Sequence, residues 1–537
     1  MATLAEQLVK SLQALGVTHV FGIPGGPSIP YLEAMRNHGI EFVLVANEQS
    51  AAMMADVFGR LTGIPGVCHA TFGPGATNLA TGVGGALLDR SPLIAFTTEV
   101  KDADIGRRVQ MNIDHQALYR PITKWTTRLS GKNFGETIAQ AFQITTSEMP
   151  GPVHIGLPSD IDGEVLAANS VVKTFAKNCL PLPGQSLLAE TAKLLEKAKK
   201  PILAVGLTAA RRGLHPFIRK FVNGNNIPIL LTPMAKGIVP ETHPCYAGVI
   251  FHAQSDLVAP VYREADLVIG IGYDSIEFNY ESWMPNVPLI HIDTEPVDIT
   301  TEYDVACEIV GDPAAALDYL NSLQLPAYNW DLEAIQANKE KLFQALMPYT
   351  GAFTPSDLIA VLQETLPADG IITADVGAHL HLLGQLWKQN EPNRFIMTNG
   401  WSTMGFGIPS AIGAKLCRPK IPVACITGDG GFLMNCGELM TARRLGINVV
   451  VIVLCDRNLS LIEVKQGWKK VAQYGTDLYE GEYFAADRFL GVPVLTVHDE
   501  SEMKASLQTA FSVTGPVIIE AFIDGSIYKN LITRSYK

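Results

Sequence analysis

Short runs of β-branched and apolar residues alternate with segments of helical periodicity along nearly the whole chain. Ten of these runs read as buried strands, at residues 17–22, 42–46, 66–73, 93–99, 201–206, 265–272, 288–293, 422–430, 448–456 and 515–524. Strands that alternate with helices in this way are typical of βαβ units, in which the strands are parallel. The pattern therefore predicts an α/β fold with doubly wound parallel sheets.

The first predicted helix lies directly at the start of the chain. Thr3 and Glu6 have the spacing of a capping box, and the apolar stripe that follows ends at Gly16. The members of that stripe have helical spacing and are Leu4, Leu8, Leu12 and Leu15. Because no basic segment with an apolar core precedes it, this start does not read as a signal peptide.

Two segments rich in proline and glycine interrupt the alternation of strands and helices. One lies at 180–185 and the other at 347–355, and such composition favours loops over regular elements. The two segments divide the chain into three predicted domains, at 1–180, 186–346 and 352–537. A chain of 537 residues is also long enough for three or four domains of roughly 150 residues each.

Composition mainly excludes classes of partner and location. With 41 basic and 53 acidic residues the net charge is −12, so the chain lacks the basic surplus that drives generic nucleic-acid binding. The longest apolar stretch, Val449–Cys455, is far shorter than the roughly 20 residues that span a bilayer, so no membrane span is expected. Eight scattered cysteines without a Cys-x-x-Cys pair indicate reduced, buried thiols and a cytoplasmic location.

The strongest chemical signal follows two successive strands near the end of the chain. Gly-Asp-Gly-Gly at 428–431 comes after one strand, and Asp456-Arg457-Asn458 comes after the next. Ligands bind at the carboxyl ends of parallel strands, where glycine lets a phosphate approach the backbone. Two carboxylates there suit Mg²⁺, which shares its oxygen ligands with phosphates. On its own, Gly-Asp-Gly is more simply a turn and Asp456 a helix cap.

The two sites together resemble the thiamine-diphosphate signature, in which Gly-Asp-Gly is followed one helix later by two asparagines at a strand end. The chain resembles the acetolactate synthase and 2-oxo acid decarboxylase superfamily, and its motifs are closest to the FAD-independent, catabolic acetolactate synthases. The resemblance implies that Asp429 and Asp456 bind Mg²⁺ through their side chains and Asn458 through its backbone carbonyl. Cys455-Asp456 departs from Asn-Asn and adds a negative charge, although the catabolic enzymes also have aspartate at the second position.

The front of the chain resembles the other half of the same kind of site. Glu48 corresponds to the glutamate that hydrogen-bonds the cofactor's aminopyrimidine and serves a proton relay. Taken alone, it reads more simply as a first-turn acid favoured by the helix dipole. Residues 21–26 resemble the superfamily's FGxPGG turn, and residues 71–78 resemble its TSGPGATN motif. The cofactor contacts implied here are Pro24, Gly25, Glu48, Thr71 and Asn78.

Two further segments of the last predicted domain agree with the resemblance. Residues 375–379 are similar to a VGxH segment and residues 399–407 to a GxGTMGFG turn, in which Met404 is the wedge that bends the cofactor. Taken alone, Met404 is ordinary core filler. The cofactor-binding residues implied in this domain are Val376, Gly377, Ala378, His379, Thr403, Met404, Gly428, Asp429, Gly430, Gly431, Asp456, Asn458, Ser460 and Leu461.

The resemblance implies a thiamine-diphosphate- and Mg²⁺-dependent enzyme. It would decarboxylate a 2-oxo acid, most simply pyruvate, and transfer the acyl unit to a carbonyl acceptor. The alternatives are a simple 2-oxo acid decarboxylase, a carboligase with another donor or acceptor, and a noncatalytic cofactor-binding relative. FAD is not expected, because residues 271–278 resemble the GYDPIEY stretch of the catabolic enzymes. A homodimer or homotetramer is also implied, since the family's cofactor lies between two subunits.

Several polar residues near these motifs have roles that the sequence leaves open. The two arginines among them either bind a carboxylate substrate or lie on a solvated loop, which is the simpler interpretation. Leu461 and Ile462 are expected to face the cofactor's thiazolium ring. The open residues are His69, Glu99, Arg107, Arg108, His115, Glu463 and Gln466.

Overall fold

The computed structural model describes residues 2–167, 170–478, 483–484 and 487–531, and it contains three large sheets. Each sheet lies within one of the predicted ranges 1–180, 186–346 and 352–537, whose exact boundaries remain predictions. Two of these sheets are wholly parallel, and the third has one short antiparallel edge strand. The predicted α/β class with three doubly wound parallel sheets is confirmed.

The first sheet has the strand order β3-β2-β4-β5-β7-β6, and a separate antiparallel pair joins β1 to β8. The strands of the first domain, including that pair, are β1 (Ala2–Thr3), β2 (His19–Gly22), β3 (Glu41–Leu44), β4 (Gly66–Ala70), β5 (Leu93–Glu99), β6 (Trp125–Arg128), β7 (Pro152–Pro158) and β8 (Val165–Leu166). Its helices are α1 (Leu4–Ala14), α2 (Ile29–His38), α3 (Glu48–Thr62), α4 (Pro74–Leu88), α5 (His115–Tyr119) and α6 (Phe134–Thr146).

The second sheet has the strand order β11-β10-β9-β12-β13-β14, which is the 3-2-1-4-5-6 order of dinucleotide-binding folds. Its strands are β9 (Pro201–Val205), β10 (Ile229–Leu231), β11 (Tyr246–Val249), β12 (Leu267–Ile271), β13 (Leu289–Asp293) and β14 (Val305–Val310). Its helices are α7 (Gln185–Lys197), α8 (Leu207–Arg211), α9 (His215–Asn225), α10 (Ala259–Arg263), α11 (Pro313–Leu320) and α12 (Leu332–Leu346).

The third sheet has the strand order β16-β15-β17-β18-β21-β20-β19. Its strands are β15 (Ile371–Ala374), β16 (Phe395–Ile396), β17 (Val423–Gly428), β18 (Val450–Cys455), β19 (Arg488–Phe489), β20 (Val492–Val497) and β21 (Val517–Phe522). Its helices are α13 (Pro355–Thr365), α14 (Ala378–Leu386), α15 (Gly407–Cys417), α16 (Asp429–Asn435), α17 (Glu438–Leu445), α18 (Ser460–Trp468) and α19 (Glu500–Ser512).

The N-terminal helix forms as the sequence predicts. Thr3 is the N-cap of α1, and its side chain and that of Glu6 make both hydrogen bonds of a capping box. Leu4, Leu8 and Leu12 are buried in the core of the first domain. A stripe of this kind stabilises a helix mainly through the apolar surface it buries against its sheet.

The first and third domains share a continuous apolar core, in which α3 packs against α15. A buried ion-pair cluster reinforces the contact: Arg60 pairs with Asp56 at 2.6 Å and with Asp89 at 2.9 Å. The same guanidinium donates to the carbonyl of Met397 in the third domain, at 2.7 Å. The carboxyl edges of the two sheets are therefore held in one arrangement within the chain.

The eight cysteines are all free, in agreement with the expectation of reduced thiols. The expectation that they are buried is wrong for Cys179, which is exposed, and for Cys417 and Cys436, which are half-buried. Among the described residues, no helix combines the length and the apolar character that crossing a membrane requires. The cytoplasmic location remains a prediction.

Candidate active site

A cavity of about 510 Å³ opens at the carboxyl edge of the third sheet. The segments that follow β15, β17 and β18 form one side of it, and segments of the central domain form another. The cavity includes most of the residues predicted from the last domain: Val376, Gly377, Ala378, His379, Met404, Gly428, Asp429, Gly430, Gly431, Asp456, Asn458, Ser460 and Leu461. The predicted Thr403 is not one of its lining residues, and its hydroxyl donates to the carbonyl of Met404.

The two predicted metal-binding carboxylates lie at neighbouring strand ends. Asp429 accepts hydrogen bonds from the N–H of Gly430 at 2.9 Å and from the N–H of Arg457 at 2.7 Å, so the two loops are tied together. Burial raises the pKa of Asp429 to about 6. Burial, with a contribution from the charge of Asp429, raises the pKa of Asp456 to about 7. A divalent cation would relieve this repulsion, so the donor set fits Mg²⁺.

Two polar atoms near these carboxylates have no hydrogen-bond partner within the described part of the chain, although both are buried. They are Nε2 of His379 and Oδ1 of Asn458, and both residues line the cavity. Burial lowers the pKa of His379 to about 4, so its ring is neutral at pH 7. Because buried polar groups are normally paired, unpaired atoms beside two carboxylates fit a bound ligand rich in oxygen and nitrogen, such as a diphosphate cofactor with its metal.

Asp375 positions the turn that carries Met404. This buried carboxylate accepts from the N–H of Gly405 at 2.9 Å and from the hydroxyl of Thr427 at 3.1 Å. It thereby connects the end of β15 to the end of β17 and to the turn at 399–407. The sequence contains Asp375 within a matched motif, but nothing there indicates that its role is to hold Met404 at the cavity.

The residues predicted from the front of the chain form a second cluster around Glu48. Asn47 caps α3 by accepting from the N–H of Gln49 at 2.9 Å, and Glu48 is the first residue of that helix. The buried carboxylate of Glu48 accepts from Nδ2 of Asn78 at 3.0 Å. A Cβ at Gly75 would lie 3.2 Å from Glu48 Oε1, so a larger residue would crowd the carboxylate.

The turn at 21–26 borders this second cluster. A Cβ on Gly25 would lie 2.3 Å from the hydroxyl of Thr71, so the two predicted motifs are in direct contact, with Pro24 next to Gly25. None of Pro24, Gly25, Glu48, Thr71 and Asn78 is among the residues that line the cavity described above. Within one chain, the predicted site residues therefore form two groups.

Glu438 is a positioning residue that sequence reasoning missed. Its buried carboxylate accepts from the N–H of Ala46 at 3.0 Å and of Asn47 at 3.1 Å, immediately before Glu48. Glu438 lies in the first turn of α17, so the third domain fixes the start of α3 in the first domain. No local pattern marks this acid, because its partners are almost 400 positions away in the chain.

A buried chain of hydrogen bonds connects His115 and Glu99, two residues whose roles the sequence leaves open. The N–H of Gly73 donates to Nε2 of His115 at 3.2 Å. Burial lowers the pKa of His115 to about 4, so the ring is neutral, and its proton is on Nδ1 because Nε2 is an acceptor. Nδ1 then donates to the hydroxyl of Thr97 at 2.9 Å.

The direction of each further hydrogen bond follows from the first. Thr97 donates to Nε2 of His154 at 2.7 Å, and Nδ1 of His154 donates to Thr126 at 2.7 Å. Thr126 donates to Oε1 of Gln116 at 2.8 Å, and Nε2 of Gln116 donates to Glu99 at 2.7 Å. The turn before α4, which borders the Glu48 cluster, is thus linked to the end of β5.

The same region contains the ligand types of a metal site, but their ligand atoms are already engaged by other residues. Glu99, His115 and His154 present ligand atoms within 4.8 Å of one another. All four ring nitrogens already have hydrogen-bond partners, and Arg128 forms an ion pair with Glu99. A cation would meet the positive charge of Arg128, so we interpret these residues as a structural network.

Three other residues whose roles the sequence leaves open lie outside the cavity. His69 exchanges a buried hydrogen bond with Ser28 at 2.7 Å, and burial lowers its pKa to about 4. Arg107 and Arg108 are exposed, as expected for a solvated loop.

The polar residues after the metal loop contact the protein itself. The carboxylate of Glu463 accepts from the side-chain amide of Asn458. Gln466 donates to the carbonyl of Tyr474 at 2.9 Å and accepts from its N–H. Neither lines the cavity, whereas Leu461 and Ile462 do, as expected.

Three segments of the chain match the family models of three domains of one enzyme family. Residues 2–118 match the family model described as thiamine pyrophosphate enzyme, N-terminal TPP binding domain. Residues 188–320 match the corresponding central domain, and residues 375–521 match the C-terminal TPP binding domain.

Curated relatives align along nearly the full length. The chain is 32% identical to a probable acetolactate synthase large subunit of Methanococcus aeolicus, over 97% of this chain and 92% of the relative. It is 31% identical to the acetolactate synthase isozyme 2 large subunit of Escherichia coli K12, over 97% and 95%. It is 30% identical to an acetolactate synthase of Bacillus subtilis 168, over 98% and 94%.

Proposed function

Because this chain belongs to the thiamine pyrophosphate enzymes, among their acetolactate synthase-like members, we propose that it joins two 2-oxo acids with loss of one carbon dioxide. The donor is most simply pyruvate, and its acyl carbon forms the new bond to the carbonyl carbon of the acceptor. The observation that carries the proposal is the convergence of Asp429, Asp456, His379 and Met404 on one cavity.

The residues of the third domain would hold the cofactor and its metal. When bound, thiamine diphosphate supplies a carbon nucleophile that adds to a 2-oxo group and takes up the electron pair left by departing carbon dioxide. Asp429, Asp456 and the carbonyl of Asn458 would bind Mg²⁺, while the unpaired Nε2 of His379 would contact the cofactor. Met404, whose side chain lines the cavity, would support the bent form of the bound cofactor.

The apolar lining has a chemical consequence for decarboxylation. Leu454, Leu459, Leu461 and Ile462 line the cavity beside the metal loop. A carboxylate held against such residues loses hydration that it would keep in water, whereas neutral carbon dioxide loses none. The lining therefore favours release of carbon dioxide from the donor.

Glu48 would hold and move the proton that activates the cofactor. Its burial beside Asn78 keeps water away from the carboxylate, and a hydrogen bond in such surroundings is stronger than in water. A noncatalytic cofactor-binding protein would have no need of a buried acid at this position.

Product identification tests the function directly. Purified protein with thiamine diphosphate and Mg²⁺ is given pyruvate, and the products are identified by mass spectrometry. Acetolactate, also detectable as acetoin after acid treatment, supports the proposal. Acetaldehyde alone indicates a simple decarboxylase, and absence of carbon dioxide from a panel of 2-oxo acids indicates a noncatalytic relative. Other ligation products identify a carboligase with a different donor or acceptor.

We also propose that the active unit is a homodimer or a homotetramer. The Glu48 cluster and the cavity are separate within one chain, so a second copy has to bring them together. Around the cavity-forming elements, large apolar side chains are exposed, which is typical of surfaces that bind another protein. These are Trp401, Leu433, Met434 and Met440, each between 38% and 55% exposed.

A charge on this surface is expected to separate the subunits. Met434→Glu would place a carboxylate in the proposed interface, where burial of an unpaired charge costs several kcal/mol. We expect light scattering after gel filtration to show a monomer without activity. Leu182→Glu, at a position that is 78% exposed in the seam between domains, is the control and should keep the wild-type mass. A Met434→Glu protein of unchanged mass and activity would contradict the proposed interface.

FAD remains unexpected as a cofactor of this chain, and the central domain supports that prediction. At the switch point of its sheet, the buried carboxylate of Glu277 accepts from the N–H groups of Leu207 and Met234, at 2.9 and 3.1 Å. A Cβ on Gly206 would lie 2.9 Å from the carbonyl of Gly272, so the two turns are in direct contact. In dinucleotide-binding folds, backbone N–H groups and open space at this switch point bind the pyrophosphate. Here Glu277 accepts from those N–H groups, and the two contacting turns fill the space.

The purified protein is accordingly expected to show no flavin absorbance and to need no added FAD for activity. The measurement is a visible spectrum of the native protein and of the supernatant after acid precipitation. Flavin recovered in proportion to protein would show the prediction to be wrong.

A further inference from the structure

The cavity contains an uneven set of charges. Among the described residues that line it, Asp256, Asp429 and Asp456 are acidic, and Lys465 is the only lysine, with no arginine. The two aspartates at the strand ends belong to the proposed metal site. Within the described part of the chain, one permanently cationic side chain is therefore available to a substrate carboxylate in this cavity.

Lys465 lies on the same helix as the apolar wall. It follows Leu461 by four residues in α18, so the two side chains lie on one face, about one turn apart. The long stem of a lysine lets its ammonium group reach several ångströms beyond that turn. The ammonium group of Lys465 can therefore lie close to the apolar residues of α18 and still be a separate, charged part of the cavity lining.

The ammonium group of Lys465 is not neutralised within the described part of the chain. None of the salt bridges between described residues includes Lys465, and the neighbouring acid Glu463 is engaged by the amide of Asn458. Burial, together with the charge of Lys465, lowers the pKa of His381 to about 4, so that ring is neutral at pH 7. Among the described residues that line the cavity, Lys465 is thus the one permanent cation.

The wall that the central domain contributes favours neutral groups. Phe251 and Phe278 stack there with their ring centroids 4.2 Å apart and their planes at 18°. Asp256 belongs to the same central-domain wall. The stacked rings offer no cation to a carboxylate, whereas α18 offers Lys465.

The two substrates of the proposed reaction differ in what becomes of their carboxylates. The donor loses its carboxylate as carbon dioxide, and a cation that stabilised that carboxylate would oppose the loss. The acceptor keeps its carboxylate in the product, so a cation can bind it throughout. A cation one turn along α18 from Leu461 therefore suits the acceptor.

We propose that Lys465 binds the carboxylate of a 2-oxo acid acceptor and so selects charged acceptors over neutral aldehydes. The inference rests on the proposed function, for which it names the residue that selects the acceptor. Phe251 and Phe278 would then face the acceptor's apolar part from the other side of the cavity.

The test compares a charged with an uncharged acceptor. With pyruvate as donor, kcat/KM is measured for 2-oxobutyrate and for propionaldehyde, which has the same chain without the carboxylate, in wild type, Lys465→Met and Lys465→Arg. A hydrogen bond to a charged group contributes about 1.5 to 3 kcal/mol, so Lys465→Met should lower the preference for 2-oxobutyrate about 10- to 100-fold. Lys465→Arg should retain most of that preference, because it keeps the charge.

Two additional measurements separate the possible failures. Lys469→Met removes an exposed lysine just beyond α18 and should leave the preference unchanged. Binding of lactate, a carboxylate that is not decarboxylated, is measured by calorimetry on the cofactor-loaded protein and should weaken by a similar factor in Lys465→Met only. An unchanged acceptor preference, or lactate binding that is equal in both lysine variants, overturns the role of Lys465. Lack of carbon dioxide release by the wild type would instead refute the proposed function, and the lactate comparison would still decide the subsite.

Discussion

Glu48→Gln is expected to reduce turnover by about 10²- to 10⁴-fold, the range that general acid–base groups typically contribute. Glutamine has the same shape and still offers an oxygen to Nδ2 of Asn78, which lies 3.0 Å from the carboxylate in the native protein. The fold and the contact should therefore survive, while the group that accepts and returns a proton is lost. Cofactor affinity should weaken only modestly.

Exchange of the cofactor's acidic carbon-bound proton in D₂O, followed by NMR, measures this loss directly. Glu41→Gln is the matched control, because Glu41 is an exposed acid in the strand before α3. Exchange at the wild-type rate in Glu48→Gln would remove the role assigned to Glu48 and, with it, the proposed proton relay.

Asp429→Ala is expected to have the second largest effect, the loss of stable cofactor retention. The substitution removes a charged ligand of the proposed Mg²⁺ site, and an interaction of about 3 kcal/mol corresponds to a loss in affinity of about 100-fold. It also removes one of two mutually repelling carboxylates. The apoprotein should therefore melt no lower than the wild type, apart from the cost of freeing the N–H of Arg457.

Calorimetric titration with thiamine diphosphate and Mg²⁺, together with melting curves with and without both, tests this expectation. The wild type should gain stability on loading, and Asp429→Ala should gain little, because only binding to the native state stabilises it. Asp369→Ala changes an exposed acid in the same domain and is the control. Wild-type affinity in Asp429→Ala would refute the metal site at this strand edge.

Local sequence patterns were sufficient for ten of the strands and for placing two carboxylates at neighbouring strand ends. All ten predicted strand runs coincide with strands of the structure. Asp429 and Asp456 could be paired in advance because they follow adjacent parallel strands, whose carboxyl ends meet at one edge. The capping box of Thr3 and Glu6 was equally readable, because its partners are three residues apart.

Some strands carried a weaker signal for a physical reason. The edge strand β6 consists of half-buried polar residues around Trp125, and β10 has only three residues. Neither has the continuous apolar run that marks a strand buried on both faces. Such elements form because neighbouring strands offer hydrogen bonds, which the sequence of the strand itself does not reveal.

By itself, the sequence of this protein determined the α/β class, the two strand-end carboxylates and the motif that carries Glu48, since each depends on residues close together in the chain. Only the tertiary structure decided that Glu438 fixes the start of α3, that Glu99 and His115 belong to one directed hydrogen-bond chain, and that Lys465 lines the same cavity as two phenylalanines of the central domain. These relations join residues tens to hundreds of positions apart, and burial against distant elements, with the loss of water it brings, sets their hydrogen bonds and charges.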